Sequence, residues 1–273
     1  VYWNYSNSPV RIKYKPEWTI YFFRKETPVF KTLWRQDSVI MKIHGFQTLT
    51  LLDYPGYTAA TIFLGGCNFR CPFCQNAGLV LRPDEEPVIP EDDVLAFLKK
   101  RRRVLDGVCI TGGEPTLEPE LPELIRSIKE LGYLVKLDTN GTHPAIVRKL
   151  AEEKLIDYVA MDIKSSREHY ARLAGNSSEK LLAVVEETAA FLMEGNLDYE
   201  FRTTVVRELH EQEDFVAIRD WLAGARRYYL QAYRDSEHIL KPGNYSSYSR
   251  EELERFAAIL REKIPVVEVR GIE

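Results

Sequence analysis

Short, unbroken apolar runs alternate along this chain with longer stretches whose apolar positions recur every three or four residues. The first run, residues 59–64 (AATIFL), is apolar on both faces of an extended chain and ends at Gly65-Gly66. Runs of the same kind stand at 107–110, 133–137, 157–163, 199–206, 228–232 and 266–269. Between them, residues 91–103, 120–131, 144–155, 179–193, 215–223 and 250–263 read as helices, with Val94, Leu95 and Leu98 forming the apolar face of the first. Pro90 stands just before that helix, Pro144 opens another, and Gly132 closes a third, as helix punctuation predicts. Strands that are apolar nearly throughout belong to a sheet covered on both faces, and the alternation with helices makes that sheet parallel. Roughly 215 residues and six or seven units fall short of the eight units and about 250 residues of a closed barrel. The expected fold is therefore α/β, an incomplete (βα)6-type barrel of parallel strands. In such folds the chemistry lies beyond the C-terminal ends of the strands.

Composition divides the 273 residues in two. The first forty hold ten of the aromatic residues, three of the four tryptophans (Trp3, Trp18, Trp34) and no Gly or Ala, and they carry a net charge of +4. The whole chain is at −4, so the remainder is at −8. The first Met is Met41, where the apolar pattern becomes coherent. The reading is an aromatic, basic extension over residues 1–40, disordered or read through from upstream, followed by one domain over 41–273. Activity is expected to reside wholly in the second part. The acidic balance argues against a general nucleic-acid or anionic-membrane binder. No apolar run approaches a membrane span and no signal-peptide pattern opens the chain, which points to the cytoplasm.

Cys67, Cys71 and Cys74 fall within eight residues (CNFRCPFC), directly after the run at 59–64. One loop could wrap three thiolates around a single centre. Structural zinc would need a fourth protein ligand. Cys109 reads as a small buried residue inside a strand, and His44 and His143 have no motif around them. A four-iron cluster needs no fourth ligand from the protein, because three cysteines leave one iron open to a substrate or cofactor. Polar groups also follow the later strands. Gly112-Gly113-Glu114 could be a tight turn, or a close approach to a ligand with an acid to receive an ammonium group. Asp138-Thr139-Asn140-Gly141 reads as an Asn-Gly turn. Alternation places Asp162 and Lys164 on one side, as an ion pair or as a carboxylate site. Arg202 is a cation on a buried strand and needs a partner, either Glu200 or a ligand. Gln231 is the polar residue of the next strand. The basic run 99–103 closes a helix, where cations suit the dipole. His169, His210 and His238 lack ligand spacing.

The CxxxCxxC loop with Phe73 before its last cysteine, and Gly112-Gly113-Glu114 one strand later, resemble the signature of the radical S-adenosylmethionine (radical SAM) superfamily. The resemblance implies a 4Fe-4S cluster held by Cys67, Cys71 and Cys74, with the open iron chelated by S-adenosylmethionine. It further implies that Phe73, Gly112, Gly113, Glu114, Asp138, Asn140, Asp162, Lys164 and Arg202 surround the cofactors. The Asp162-Ile163-Lys164 triplet is similar to that of enzymes that install glycyl radicals. With residues 41–56, 63–76 and 109–117, the chain resembles the activating proteins of anaerobic ribonucleoside-triphosphate reductases, from Met41 to about Tyr233. The partners so implied are a glycyl-radical protein, anaerobic ribonucleotide reductase first, and a reduced flavodoxin- or ferredoxin-type electron donor. Activation of another glycyl-radical enzyme such as pyruvate formate-lyase, a small-molecule radical enzyme and a zinc-stabilised adaptor are the rival readings.

Overall fold

The computed structural model describes residues 41–272; the expectation for residues 1–40 lies outside the described residues. Eight strands form one open sheet in sequence order, β1 (Ile43–Thr50), β2 (Ala59–Leu64), β3 (Gly107–Gly112), β4 (Leu134–Thr139), β5 (Tyr158–Asp162), β6 (Asp198–Val205), β7 (Arg227–Ala232) and β8 (Val266–Arg270). Pairing is parallel from β2 through β8. β1 pairs antiparallel with β2, so that the sheet has β1 at one edge and β8 at the other. The incomplete parallel barrel expected from the sequence is thus observed, with seven parallel strands and an added antiparallel edge.

The sequence pattern explains why these segments extend. β2 is buried at every position, as its unbroken apolar run requires. The helices are α1 (Ala77–Leu81), α2 (Glu91–Arg101), α3 (Leu121–Glu130), α4 (Pro144–Glu152), α5 (Tyr170–Ala174), α6 (Leu181–Met193), α7 (Gln212–Trp221) and α8 (Arg250–Arg261). α3 buries Leu121, Leu124, Ile125 and Ile128, one face at helical spacing, each worth about 1.5–3 kcal/mol on removal from water. α8 starts where Ser249 accepts from the Glu252 backbone N–H at 3.2 Å and Glu252 accepts from the Ser249 N–H at 2.8 Å. The basic run ends α2 as expected, with Lys99, Lys100 and Arg101 in its last turn and acids in its first.

Two short helices and β1 were not assigned from the sequence. β1 reads IHGFQTLT, where Gly45 and four polar residues break up the apolar pattern. It extends because β2 offers it a hydrogen-bonding edge, a cause that lies outside its own residues. Among the described residues no helix is long and apolar enough to cross a membrane.

Candidate active site

The three cysteines line a cavity of about 850 Å³ on the sheet. Its wall also includes Phe73, Gly112, Gly113, Asp138, Asn140, Asp162, Lys164 and Arg202, so that eleven of the twelve sequence-predicted site residues meet there. All three cysteines are free thiols. The loop that carries them is tied down from outside. Arg70 N donates to Ala174 O at 2.8 Å, Lys241 N to Pro72 O at 3.1 Å, and Leu240 N to Cys74 O at 3.0 Å. Burial pushes the Cys67 thiol up to about 11 and the Cys71 thiol up to about 12, and it raises Cys74 as well. Thiols in such surroundings become thiolates only against a cation placed at their sulfurs.

Two glycine turns hold this loop against the next strand. Gly113 N donates to Leu64 O at 2.9 Å and Glu114 N to Gly66 O at 2.8 Å. Gly112 has φ +119°, and a Cβ there would overlap the Leu64 backbone; one at Gly113 would overlap the Gly66 carbonyl.

Glu114 is the twelfth of these residues. It is fully buried and is absent from the cavity wall. Its carboxylate accepts from Thr116 N (3.1 Å), Thr116 Oγ1 (2.5 Å), Thr139 Oγ1 (2.8 Å) and Asn140 N (2.6 Å). The carboxylate that the sequence assigned to a ligand's ammonium group thus bridges the ends of β3 and β4. Burial pushes its carboxyl up while the four donors pull it back. Thr116 already donates its hydroxyl hydrogen to Glu114, so His143 Nδ1, 2.9 Å from that oxygen, must carry a hydrogen.

The charged residues form a continuous row across β4, β5 and β6. Lys136 pairs with Asp138, Asp138 with Arg202 (3.0 Å), Arg202 Nε with Asp162 (2.5 Å), and Asp162 with Lys164 (2.9 Å). Signs alternate and both ends are cations, so the row carries a net positive charge. Burial opposes ionisation of Asp162, yet Arg202 and Lys164 outweigh it and hold the carboxyl well below the usual range. Burial likewise works against the Lys164 ammonium, and Asp162 and the nearby Cys71 more than restore it. Asp162 and Lys164 share a side, as alternation predicted. Arg202 does not take Glu200 as its partner. Glu200 accepts instead from Tyr158 Oη at 2.8 Å and Arg270 Nη1 at 3.2 Å.

Lys136 was missed in the sequence, although it lies two residues before Asp138 and the alternation used for Asp162 and Lys164 applies to it equally. Asp53, Asn68 and Arg270 were missed too. Asp53 and Arg270 line the cavity, and Asp53 Oδ1 is buried without a hydrogen-bond partner. Their signal is weak, since each stands in a loop or at a strand end. Cys109 is away from the trio, its sulfur between Lys136 Nζ (3.7 Å) and Asp138 Oδ1 (3.6 Å). His44 contacts Pro87 O and His143 contacts Thr116 and Thr142. Gln231 also lines the cavity.

Among the described residues, no group of three or more His, Cys, Asp or Glu side chains is arranged to hold a single metal ion. An iron–sulfur cluster spreads its cysteines over separate irons, and three free cysteines on one loop, with backbone N–H donors at the Cys67 and Cys74 sulfurs, suit that group.

Residues 61–222 match the model of the radical SAM superfamily. The chain belongs to that superfamily. A protein of Methanocaldococcus jannaschii that carries the name glycyl-radical enzyme activating enzyme is 33% identical over 200 residues, covering 71% of this chain and 81% of its own. The pyruvate formate-lyase 1-activating enzyme of Escherichia coli is 29% identical over 185 residues, 65% of this chain and 72% of that enzyme. This radical SAM chain is thus an enzyme related to the glycyl-radical enzyme activating enzymes. SuiB of Streptococcus suis shares the fold with a TM-score of 0.60 at 18% identity over 76% of this chain. The match spans about half of SuiB, 47% of its length. A domain of a Bacteroides vulgatus pyruvate-formate lyase-activating enzyme aligns with a TM-score of 0.50 at 16% identity, over 60% of this chain and 99% of that domain. The superfamily implies a 4Fe-4S cluster and S-adenosylmethionine.

Proposed function

We propose that this protein activates a glycyl-radical enzyme, and that Cys67, Cys71 and Cys74 hold the 4Fe-4S cluster while the wall of the cavity seats S-adenosylmethionine. The observation that carries the reading is the single cavity in which three free cysteines face a row of alternating charges. The bound cofactors would supply reductive cleavage of the sulfonium bond, in which one electron yields methionine and a 5′-deoxyadenosyl radical able to take a glycine α-hydrogen.

The chain's own part is to bind, orient and shield. Lys164 lies beside both Asp162 and the cysteine loop, where a ligand carboxylate meets a fixed cation. Asp138 and Asp162 are held ionised by Arg202 and suit an ammonium or ribose hydroxyl groups. Gly112 and Gly113 let the ligand approach backbone. Phe73 is 5% exposed and closes the cysteine side against water. Glu114 acts from behind, by fixing the β4 turn. Residues 41–273 form the working domain.

For the partner, the opening over residues 41–56 and Gln75-Asn76 favour anaerobic ribonucleotide reductase, with a reduced flavodoxin- or ferredoxin-type protein as electron source. A second reading, activation of pyruvate formate-lyase, is favoured by the likeness to the Escherichia coli enzyme. Reduced protein, S-adenosylmethionine and each candidate partner are mixed anaerobically and examined by electron paramagnetic resonance. The expected result is a glycyl-radical doublet on the reductase. A doublet only on the lyase selects the second reading. Cleavage of S-adenosylmethionine with no protein radical on any partner refutes activation.

A further inference from the structure

The three cysteines do not have equivalent surroundings. Cys67 Sγ receives the Phe69 backbone N–H at 3.3 Å and lies 3.9 Å from the side-chain nitrogen of Asn140. Cys74 accepts from the backbone of Asn76. Cys71 faces an acceptor, the Ala174 carbonyl, at 3.8 Å. A side-chain amide is therefore directed at one sulfur of the trio, and that amide comes from a different strand end.

The orientation of the Asn140 amide follows from its other bonds. Its Oδ1 accepts from Thr142 N at 3.0 Å and Thr142 Oγ1 at 2.7 Å, which identifies that atom as the oxygen. One Nδ2 hydrogen goes to Asn68 Oδ1 at 2.8 Å. Asn68 is itself fixed, since its Nδ2 donates to Thr142 Oγ1 at 2.8 Å and its carbonyl accepts from Asn176 Nδ2 at 3.1 Å. The second Nδ2 hydrogen has one destination left, the sulfur of Cys67. Asn140 is 5% exposed, and all four of its hydrogen-bond positions are used within the protein. The contact with S-adenosylmethionine expected for its side chain would have to displace one of these bonds. The backbone N–H of the same residue is held by Glu114, so the clamp behind the turn also aims the amide.

We infer that Asn140 is a positioning residue for the electron-accepting centre: its side-chain N–H donates to the Cys67 sulfur and raises the reduction potential of a cluster bound there. This rests on the cluster reading proposed above. Donors to a ligating sulfur stabilise the more negative, reduced form of a cluster. Among the three ligands Cys67 would carry two such donors, and the electron density of the reduced state would be drawn toward its side of the cluster.

The test is a redox titration of the reconstituted protein, followed by electron paramagnetic resonance, with iron content measured alongside. N140L removes the donor. N140D keeps the acceptor to Thr142 and replaces the N–H with oxygen. Both are expected to bind the parent amount of iron and to be reduced at a more negative potential. N68A, which frees the amide without removing it, should shift less. An unchanged potential in N140L with full iron content overturns the inference. So does loss of the cluster from both Asn140 variants, which would make the residue structural. If the parent protein itself gains no cluster, the proposed function fails first and this inference with it.

Discussion

The cavity has two walls of different origin. The cysteine wall is one loop of eight residues, contiguous in sequence and pinned from outside by backbone bonds. The charged wall is assembled from β4, β5 and β6, with Lys136, Asp138, Asp162, Lys164 and Arg202 brought together only by strand register. A loop motif carries its geometry in its own spacing. A row across strands has no geometry until the sheet exists. The cysteine thiols of the first wall can therefore be trimmed with less effect on folding than the second, which is part of what holds the sheet's interior together.

The largest expected effect comes from the loop. Cys71→Ala should abolish both the cluster absorbance and cleavage of S-adenosylmethionine, with the circular dichroism spectrum unchanged. Retained cleavage would refute that ligand. Arg202→Leu attacks the other wall. It leaves Asp138 and Asp162 facing each other without their shared cation, and truncating a buried pair costs about 3–5 kcal/mol, here toward the lower figure because the cavity admits water. Urea denaturation should show that loss. An undiminished midpoint would mean that the row does not contribute to stability.

A smaller effect separates the walls by pH. The carboxyl of Asp162 lies lower in the folded chain than in the unfolded chain, where about 3.9 is usual. The unfolded state then binds more protons in acid, so the stability from this group is present above about pH 5 and lost as pH falls below it. Arg202→Leu should flatten that acid-side decline, and an equal slope in both proteins would exclude the row as its source. Glu114→Ala, which strips the acceptor from four donors behind the walls, is expected to cost about 1–3 kcal/mol by the same denaturation assay. The least effect belongs to removal of residues 1–40: cluster binding by a chain starting at Met41 should match the full chain, and its loss would overturn the assignment of the working domain to 41–273.

The sequence displayed the two walls unequally for the same reason. The alternation of apolar runs with helical stretches located the seven parallel strands, and the cysteine spacing located the loop. Asp162 and Lys164 could be placed together because they share one strand. Arg202 was visible as a charge needing a partner, but Asp138 and Asp162 could be named as those partners only once register aligned β4, β5 and β6. Lys136 escaped notice because an apolar run absorbs one lysine without losing its character as a strand. Glu114 was legible as part of a motif, but its hydrogen bonds to Thr116, Thr139 and Asn140 were not, since those donors meet it only once β3 and β4 are side by side. β1 was illegible for a different reason, being extended by its neighbour rather than by its own pattern.

The interlocked glycine turns have a consequence for how this molecule can vary. The backbone of Leu64 and Gly66 occupies the space that side chains at 112 and 113 would need. The turn before the cysteines and the turn after β3 are therefore a single joint, and neither half can drift alone. A library randomised at Gly112 and Gly113 should return glycine almost exclusively. Neighbouring exposed positions such as Leu117 should accept many replacements, so the joint would stand out as a rigid pair within a permissive rim.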